Sequence, residues 1–181
     1  DTVHRLATLR GKFGSSSINS LISRGYLDQE QLEVERDPLN GKSYTPAQPV
    51  NLSDSQTYAL EQISELIENP SIKTRAVLLH GVTGSGKTEV YLDAVSLCIS
   101  RGKNSLVLVP EIALTPQTIE RFSSRFPGKI AVLHSGLTVG ERFDQWRKIR
   151  ANEYQVVIGS RSSIFAPLNN LGLIIIDEEH E

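Results

Sequence analysis

The chain has 181 residues, enough for one ordinary domain or a medium domain with a small appendage. Hydrophobic residues at 39% and charged residues at 22% suit a globular chain and exclude wholesale disorder, and a net charge of −2 excludes a basic nucleic-acid arm or an acidic tail. The single cysteine, Cys98, excludes an internal disulfide and a cysteine-cluster zinc site, and the apolar runs are too short to span a membrane.

No charged-then-apolar leader opens the chain, and it lacks methionine even at position 1, so the expectation is a cytoplasmic chain that starts inside a longer polypeptide. Charge is uneven along it. Residues 1–26 hold four bases (Arg5, Arg10, Lys12, Arg24) against Asp1, and residues 27–37 hold five acids against Arg36. Residues 101–161 hold ten basic and five acidic residues. The two basic stretches are either solvated faces or places where a polyanion binds.

In chain order, Leu6 and Leu9, with Val3, fit a short amphipathic helix broken by Gly11 and Gly14. Ser15, Ser16 and Ser17 can cap a second helix carrying Ile18, Leu21 and Ile22 at helical spacing, with Gly25 as its stop. Leu27, Leu32 and Val34 suit a short hairpin. Helix, helix and β wing in so few residues resemble a winged-helix domain, a module used for binding duplex DNA and for docking proteins alike. The stretch 37–51, rich in Pro, Gly and Asn, reads as a hinge. Domains of 1–45 and 46–181 are therefore expected.

Beyond the hinge, Ser53 with Gln56 three residues on is a capping-box start for a helix reaching about Asn69, ahead of Pro70. Five short apolar runs follow: 76–80, 105–109, 130–133, 156–158 and 173–176. They lack alternation, as strands do when both faces of a parallel sheet are covered. Helical patterns at 88–101, 115–126 and 140–152 separate most of them, which predicts a three-layer α/β parallel sheet.

The first run leads into Gly81-Val82-Thr83-Gly84-Ser85-Gly86-Lys87-Thr88, which fits Gly-x-x-x-x-Gly-Lys-[Ser/Thr]. In such a loop the residues at Gly81, Thr83, Gly84, Ser85 and Gly86 turn backbone N–H groups toward phosphate oxygens. The following helix adds its positive end. Lys87 supplies a point charge near the β and γ phosphates, and the Thr88 hydroxyl can ligate Mg²⁺. The last run ends in Asp177-Glu178-Glu179-His180, at the carboxyl edge where such sheets bind ligands. Asp177 would hold Mg²⁺ through water, and Glu178 would orient or deprotonate an attacking water. Lys87, Asp177 and Glu178 are thus the candidate catalytic residues of an ATP- and Mg²⁺-dependent P-loop NTPase with a RecA-like lobe.

Asp-Glu-x-His after such a strand resembles superfamily 2 DEAH-type helicases. The blocks 81–91, Leu-Val-Pro-Glu-Ile-Ala-Leu-Thr-Pro-Gln (108–117), Leu-His-Ser (133–135), Gly-Glu-Arg-x-x-x-Trp (140–146), Val-Ile-Gly-Ser-Arg-Ser-Ser-Ile-Phe-Ala-Pro (157–167) and 177–181 narrow the likeness. They resemble the primosomal protein N′ family of bacterial replication-restart helicases, which also carries a winged helix before its first lobe. The resemblance implies an ATP-dependent 3′→5′ DNA helicase of the bacterial cytoplasm. Its partners would be forked DNA or single-strand/duplex junctions, together with primosome and single-strand-binding proteins. It also implies DNA contacts at Thr115, Arg161 and Ser162, with Ser160 where the family commonly has Thr. Gln56 is either an adenine reader or only the third residue of a capping box. His180 is either a coupling residue between the nucleotide and DNA sites or a solvated histidine. Trp146 reads as core packing for the helix at 140–152 rather than as a stacking platform.

The family's zinc region and second lobe, with its arginine, have no counterpart in these residues. A fragment is therefore expected, one that binds nucleotide, turns it over slowly and does not unwind. The competing readings are another P-loop NTPase, such as a nucleotide kinase, and a DNA- or protein-docking module without turnover.

Overall fold

The computed structural model describes residues 4–30, 36, 38–39, 44–69, 71, 76–82 and 84–178. The chain divides into two units, Asp1–Glu35 and Arg36–Glu181.

The first unit contains α1 (Leu6–Phe13) and α2 (Ser15–Ser23). Glycine costs a helix interior only about 1 kcal/mol, and α1 runs through Gly11 rather than breaking there. It ends at Gly14, whose φ of 82° few other residues tolerate, and Gly14 is also the residue that precedes α2. The serines expected as caps are instead the first turn of α2. Arg10 Nη2 donates to Asn19 Oδ1 at 2.9 Å, joining the two helices. Gly25, at φ 74°, follows the end of α2 as expected. Of the expected hairpin, Leu27 lies in a bend without a ladder partner, and Leu32 and Val34 are outside the described residues.

In the second unit, α3 (Asp54–Glu68) opens on the expected capping box: Gln56 N–H donates to Ser53 Oγ, and Ser53 N–H to Gln56 Oε1 at 2.8 Å. Then come α4 (Lys87–Ser100), β1 (Asn104–Leu108), α5 (Pro116–Arg125), β2 (Ile130–Leu133), α6 (Val139–Arg150), β3 (Val156–Gly159) and β4 (Leu171–Ile176). The four strands pair in the order β2-β3-β1-β4, every neighbour parallel. Val107 stands beside Ile158 on one side and Ile175 on the other.

Side chains alternate across this sheet and both faces are covered, which is why the strand sequences do not alternate. On one face Val107, Val132, Val156, Ile158 and Ile175 pack against Leu92 and Val95 of α4 and Phe122 of α5. On the other, Leu106, Ala131, Leu133 and Val157 pack with Ile149 of α6. Ion pairs from Glu89 to Arg121 and from Asp93 to Arg125 clamp α4 to α5 above the first face. The three layers predicted from the sequence are present.

The fifth expected strand is not. Residues 76–80 make no ladder, and Val77 and Leu78 are 44% and 76% exposed. An apolar run marks a segment suited to burial, but a strand exists only where a neighbour completes its hydrogen bonds. β4 is an edge strand of the sheet, and its Ile174 and Ile176 are 49% and 58% exposed. Among the described residues no helix is long and apolar enough to cross a membrane.

Phe122 is 1% exposed at the centre of the α4–α5 face. Phe122→Ala is expected to cost about 3–5 kcal/mol in denaturant unfolding, because the rigid strands behind it cannot collapse into the void. The N-terminus of α6 supplies a pH test. Thr138 Oγ–H and N–H both donate to Glu141 Oε2, at 2.6 and 2.8 Å, and hold the Glu141 carboxyl below its ordinary value, with smaller help from His134 and Arg36. A depressed folded value means that the ionised cap stabilises the fold above the ordinary carboxylate range. That contribution is lost as pH falls through the folded value. Hydrogen-exchange protection factors at the start of α6 should therefore fall on acidification, and Glu141→Gln should flatten that dependence.

Candidate active site

Because the strands are parallel, the residues after β1, β2, β3 and β4 all leave the sheet at its carboxyl edge, among them Thr115, Arg161, Ser162 and Asp177. The phosphate-loop segment 81–86, without Thr83, which is outside the described residues, turns into α4 through Gly84 at φ 80° and Gly86 at φ 81°. A side chain at Gly86 would be strained by that φ and would also stand 2.3 Å from Gln56 Nε2. Gln56 is therefore used twice. Its Oε1 closes the capping box, while its Nε2 donates to Ser85 O at 3.0 Å and so leans α3 on the loop.

Gly86 precedes α4 without any side-chain cap; Glu89 N–H donates to Gly86 O at 3.0 Å, and the Lys87 and Thr88 amides are left for an outside acceptor. Lys87, the first residue of the helix, curls over the loop and donates through Nζ to Gly81 O at 2.6 Å. Thr88 is half-buried beside it. One turn further, Tyr91 OH donates to Asp177 Oδ1 at 3.1 Å. Asp177 N–H in turn donates to Leu108 O at 2.9 Å, extending the β1–β4 ladder by one bond. The acid at the end of the sheet is thus tied to the loop's own helix.

Glu178 follows with φ 53°, a left-handed conformation that costs a non-glycine residue about 1–2 kcal/mol, and its side chain is exposed. His180 is outside the described residues. Tyr91 lies within the sequence block 81–91, but periodicity marks it only as a helix residue. Its value comes from a partner 86 positions away.

These groups fit a nucleoside triphosphate with Mg²⁺: an ammonium, uncapped helix amides, a hydroxyl and an anchored carboxylate. Mg²⁺ usually takes only one or two protein oxygens and fills its shell with phosphate and water. Among the described residues no cluster of three or more His, Cys, Asp or Glu could hold a metal by itself.

The strand-contact candidates sit elsewhere on the same edge. After β1, residues 111–113 form a short 3₁₀ turn, and Thr115 caps α5, its Oγ1 accepting Thr118 N–H at 3.2 Å. After β3, Arg161 and Ser162 open a 3₁₀ turn, both exposed. Gly159 makes that turn possible. A Cβ there would stand 2.1 Å from Leu133 O, which accepts the buried Ser163 hydroxyl at 3.2 Å. Trp146 corrects the sequence expectation. It is 38% exposed, because α6 turns Gln145 and Ile149 into the core instead.

The chain resembles known proteins in a consistent way. It is 50% identical over 167 residues to "Replication restart protein PriA" of Bacillus subtilis (strain 168), covering 92% of this chain and 20% of that protein. The same name attaches to a Synechocystis protein that is 46% identical over 92% of the chain, and to a Haemophilus influenzae protein that is 40% identical over 93%. The chain spans about a fifth of the length of these relatives. Residues 49–181 match the family described as "Type III restriction enzyme, res subunit". That span takes in the phosphate-loop segment, the Tyr91–Asp177 link and all four parallel strands, and the chain belongs to this family.

Proposed function

We propose that this chain is the ATP-binding lobe of a replication-restart DNA helicase, with residues 46–181 forming the first motor lobe and residues 1–45 a winged helix. The observation that carries the reading is the Tyr91–Asp177 hydrogen bond, which holds the terminal acid of β4 beside the helix that starts at Lys87. Likeness to replication restart proteins across 92% of the chain supports the choice among P-loop enzymes.

In this reading ATP lies along the loop 81–88, its phosphates on the first-turn amides of α4 and on the Lys87 ammonium. Bound Mg²⁺ would supply charge neutralisation at the phosphates, held by the Thr88 hydroxyl and through water by Asp177. Glu178, solvent-facing one residue beyond, orients or deprotonates the attacking water. Gln56 reads the adenine edge in this reading, exchanging its Ser53 and Ser85 bonds for the base. Thr115, Arg161 and Ser162 take a DNA strand, Arg161 at a phosphate, and His180 couples the two sites. The substrate is forked or junction DNA, with primosome and single-strand-binding proteins as partners and zinc bound elsewhere in the longer protein. An arginine from a second lobe is worth about 10³–10⁵ in rate in comparable phosphoryl transfers. These 181 residues alone should therefore turn ATP over slowly and unwind nothing.

Three substitutions and one titration test this. Lys87→Ala should abolish nucleotide binding in a fluorescent-ATP titration. Glu178→Gln should bind as the parent does and lose residual hydrolysis; hydrolysis at the parent rate would remove Glu178 from its role. Tyr91→Phe should lower stability by about 0.5–1.5 kcal/mol in urea unfolding, the range of one hydrogen bond, and should weaken Mg²⁺-dependent more than Mg²⁺-free nucleotide binding. Anisotropy of a labelled fork at two salt concentrations should show salt-sensitive binding that shifts with ATP and Mg²⁺. ATP binding without any DNA binding would favour a P-loop enzyme of another kind.

A further inference from the structure

Beside the turn that carries Arg161 lies a groove of about 340 Å³, lined by Leu133, His134, Arg142, Trp146, Ser162 and Phe165. Three elements build it. Leu133 ends β2 and His134 follows it, Arg142 and Trp146 lie four residues apart on one face of α6, and Ser162 and Phe165 belong to the 3₁₀ turn after β3. Trp146 and Phe165 are 38% and 74% exposed, two aromatic surfaces left open around one concavity.

The platform is held firmly. Ser163, 1% exposed, bonds back to Leu133 O, and only a glycine at 159 lets the turn come so close. The lining includes the Arg142 guanidinium and no carboxylate, while His134 accepts Gly136 N–H through Nδ1 at 3.1 Å. The carboxylates nearby lie outside the lining, Glu141 in the α6 capping box and Glu111 on the Ser135 hydroxyl. Aromatic faces beside an arginine suit a polyanion that carries flat π-systems, since a base stacks on any aromatic face while its phosphates meet the guanidinium.

We propose that this groove takes an unstacked base of a single DNA strand, with Trp146 as the stacking face and Arg142 and Arg161 at the flanking phosphates. The inference rests on the DNA-binding reading above and deepens it, adding Trp146, Phe165 and Arg142 to the strand path. The base contact would let the lobe grip a strand without reading its sequence, as stacking does not distinguish among bases.

Trp146 is the chain's one tryptophan, so its emission reports the groove directly. The experiment titrates the 181-residue chain with end-labelled oligo-dT and with an abasic oligomer of the same length, following both label anisotropy and tryptophan fluorescence. The expected result is saturable quenching by oligo-dT alone and affinity for it about tenfold above that for the abasic strand. Trp146→Ala should bring oligo-dT down to the abasic level with an unchanged salt slope, Trp146→Phe should restore most of the difference, and Phe165→Ala should reduce it in a chain that keeps Trp146. Equal binding of the two oligomers with no quenching would overturn the groove proposal and leave phosphate contacts, and the DNA-binding reading, standing. Binding of neither would remove the DNA-binding reading and the groove together. Quenching by an acidic peptide but not by DNA would make the groove a protein-docking site and overturn the proposal.

Discussion

The parallel alignment of four strands is the constraint from which the rest of this lobe follows. Parallel strands send all their carboxyl ends to one edge, so segments distant in sequence arrive there together: 110–115 after β1, 134–138 after β2, 160–165 after β3 and Asp177 after β4. Parallel pairing in turn demands crossovers long enough to contain helices, and these cover both faces with apolar contacts. The closely packed strands β1 and β3, with Val107, Val156 and Ile158 nearly inaccessible, hold the edge still while its loops carry the chemistry.

Cross-links at that edge turn proximity into a site. Gln56 joins α3 to the phosphate loop, Tyr91 joins α4 to the end of β4, and Ser135 joins the β2 loop to Glu111 after β1. Each spans at least 24 residues, and each uses a polar side chain at the rim of the core rather than within it. Close backbone approaches do the remaining positioning. Gly86 admits Gln56 and Gly159 admits the Leu133 carbonyl, so at both places the glycine is required by what lies opposite as well as by its own chain. Glu178, held at a positive φ without being glycine, marks the point where the edge stores conformational strain.

The edge has two regions of different character. Around α4 it is polar and offers donors to phosphate. Around α6 it is aromatic and basic, with Trp146 and Phe165 flanking Arg142. Both stand on the same sheet. Strand β1 pairs with both β3 and β4, so it joins the strand that ends before Asp177 to the one that ends before Arg161.

The sequence by itself determined the layer order, the helices and the phosphate loop, because these depend on patterns read within a few residues: apolar runs without alternation, Ser53 with Gln56, and Gly-Lys-Thr after a glycine-rich turn. It marked Asp177 as chemistry-bearing through its place after a strand, and the family resemblance marked Arg161. Tertiary structure decided what such patterns cannot hold. An apolar run such as 76–80 asks for burial, but its ladder depends on a neighbour elsewhere in the chain, and here it forms none. Trp146 has the composition of a core residue, yet the rotation of α6 that buries Gln145 and Ile149 turns it to a groove. Tyr91 is one more helix residue until Asp177, 86 positions on, meets its hydroxyl. Local pattern fixes a residue's preference; the partner that satisfies it is chosen by packing over distances that no local pattern spans.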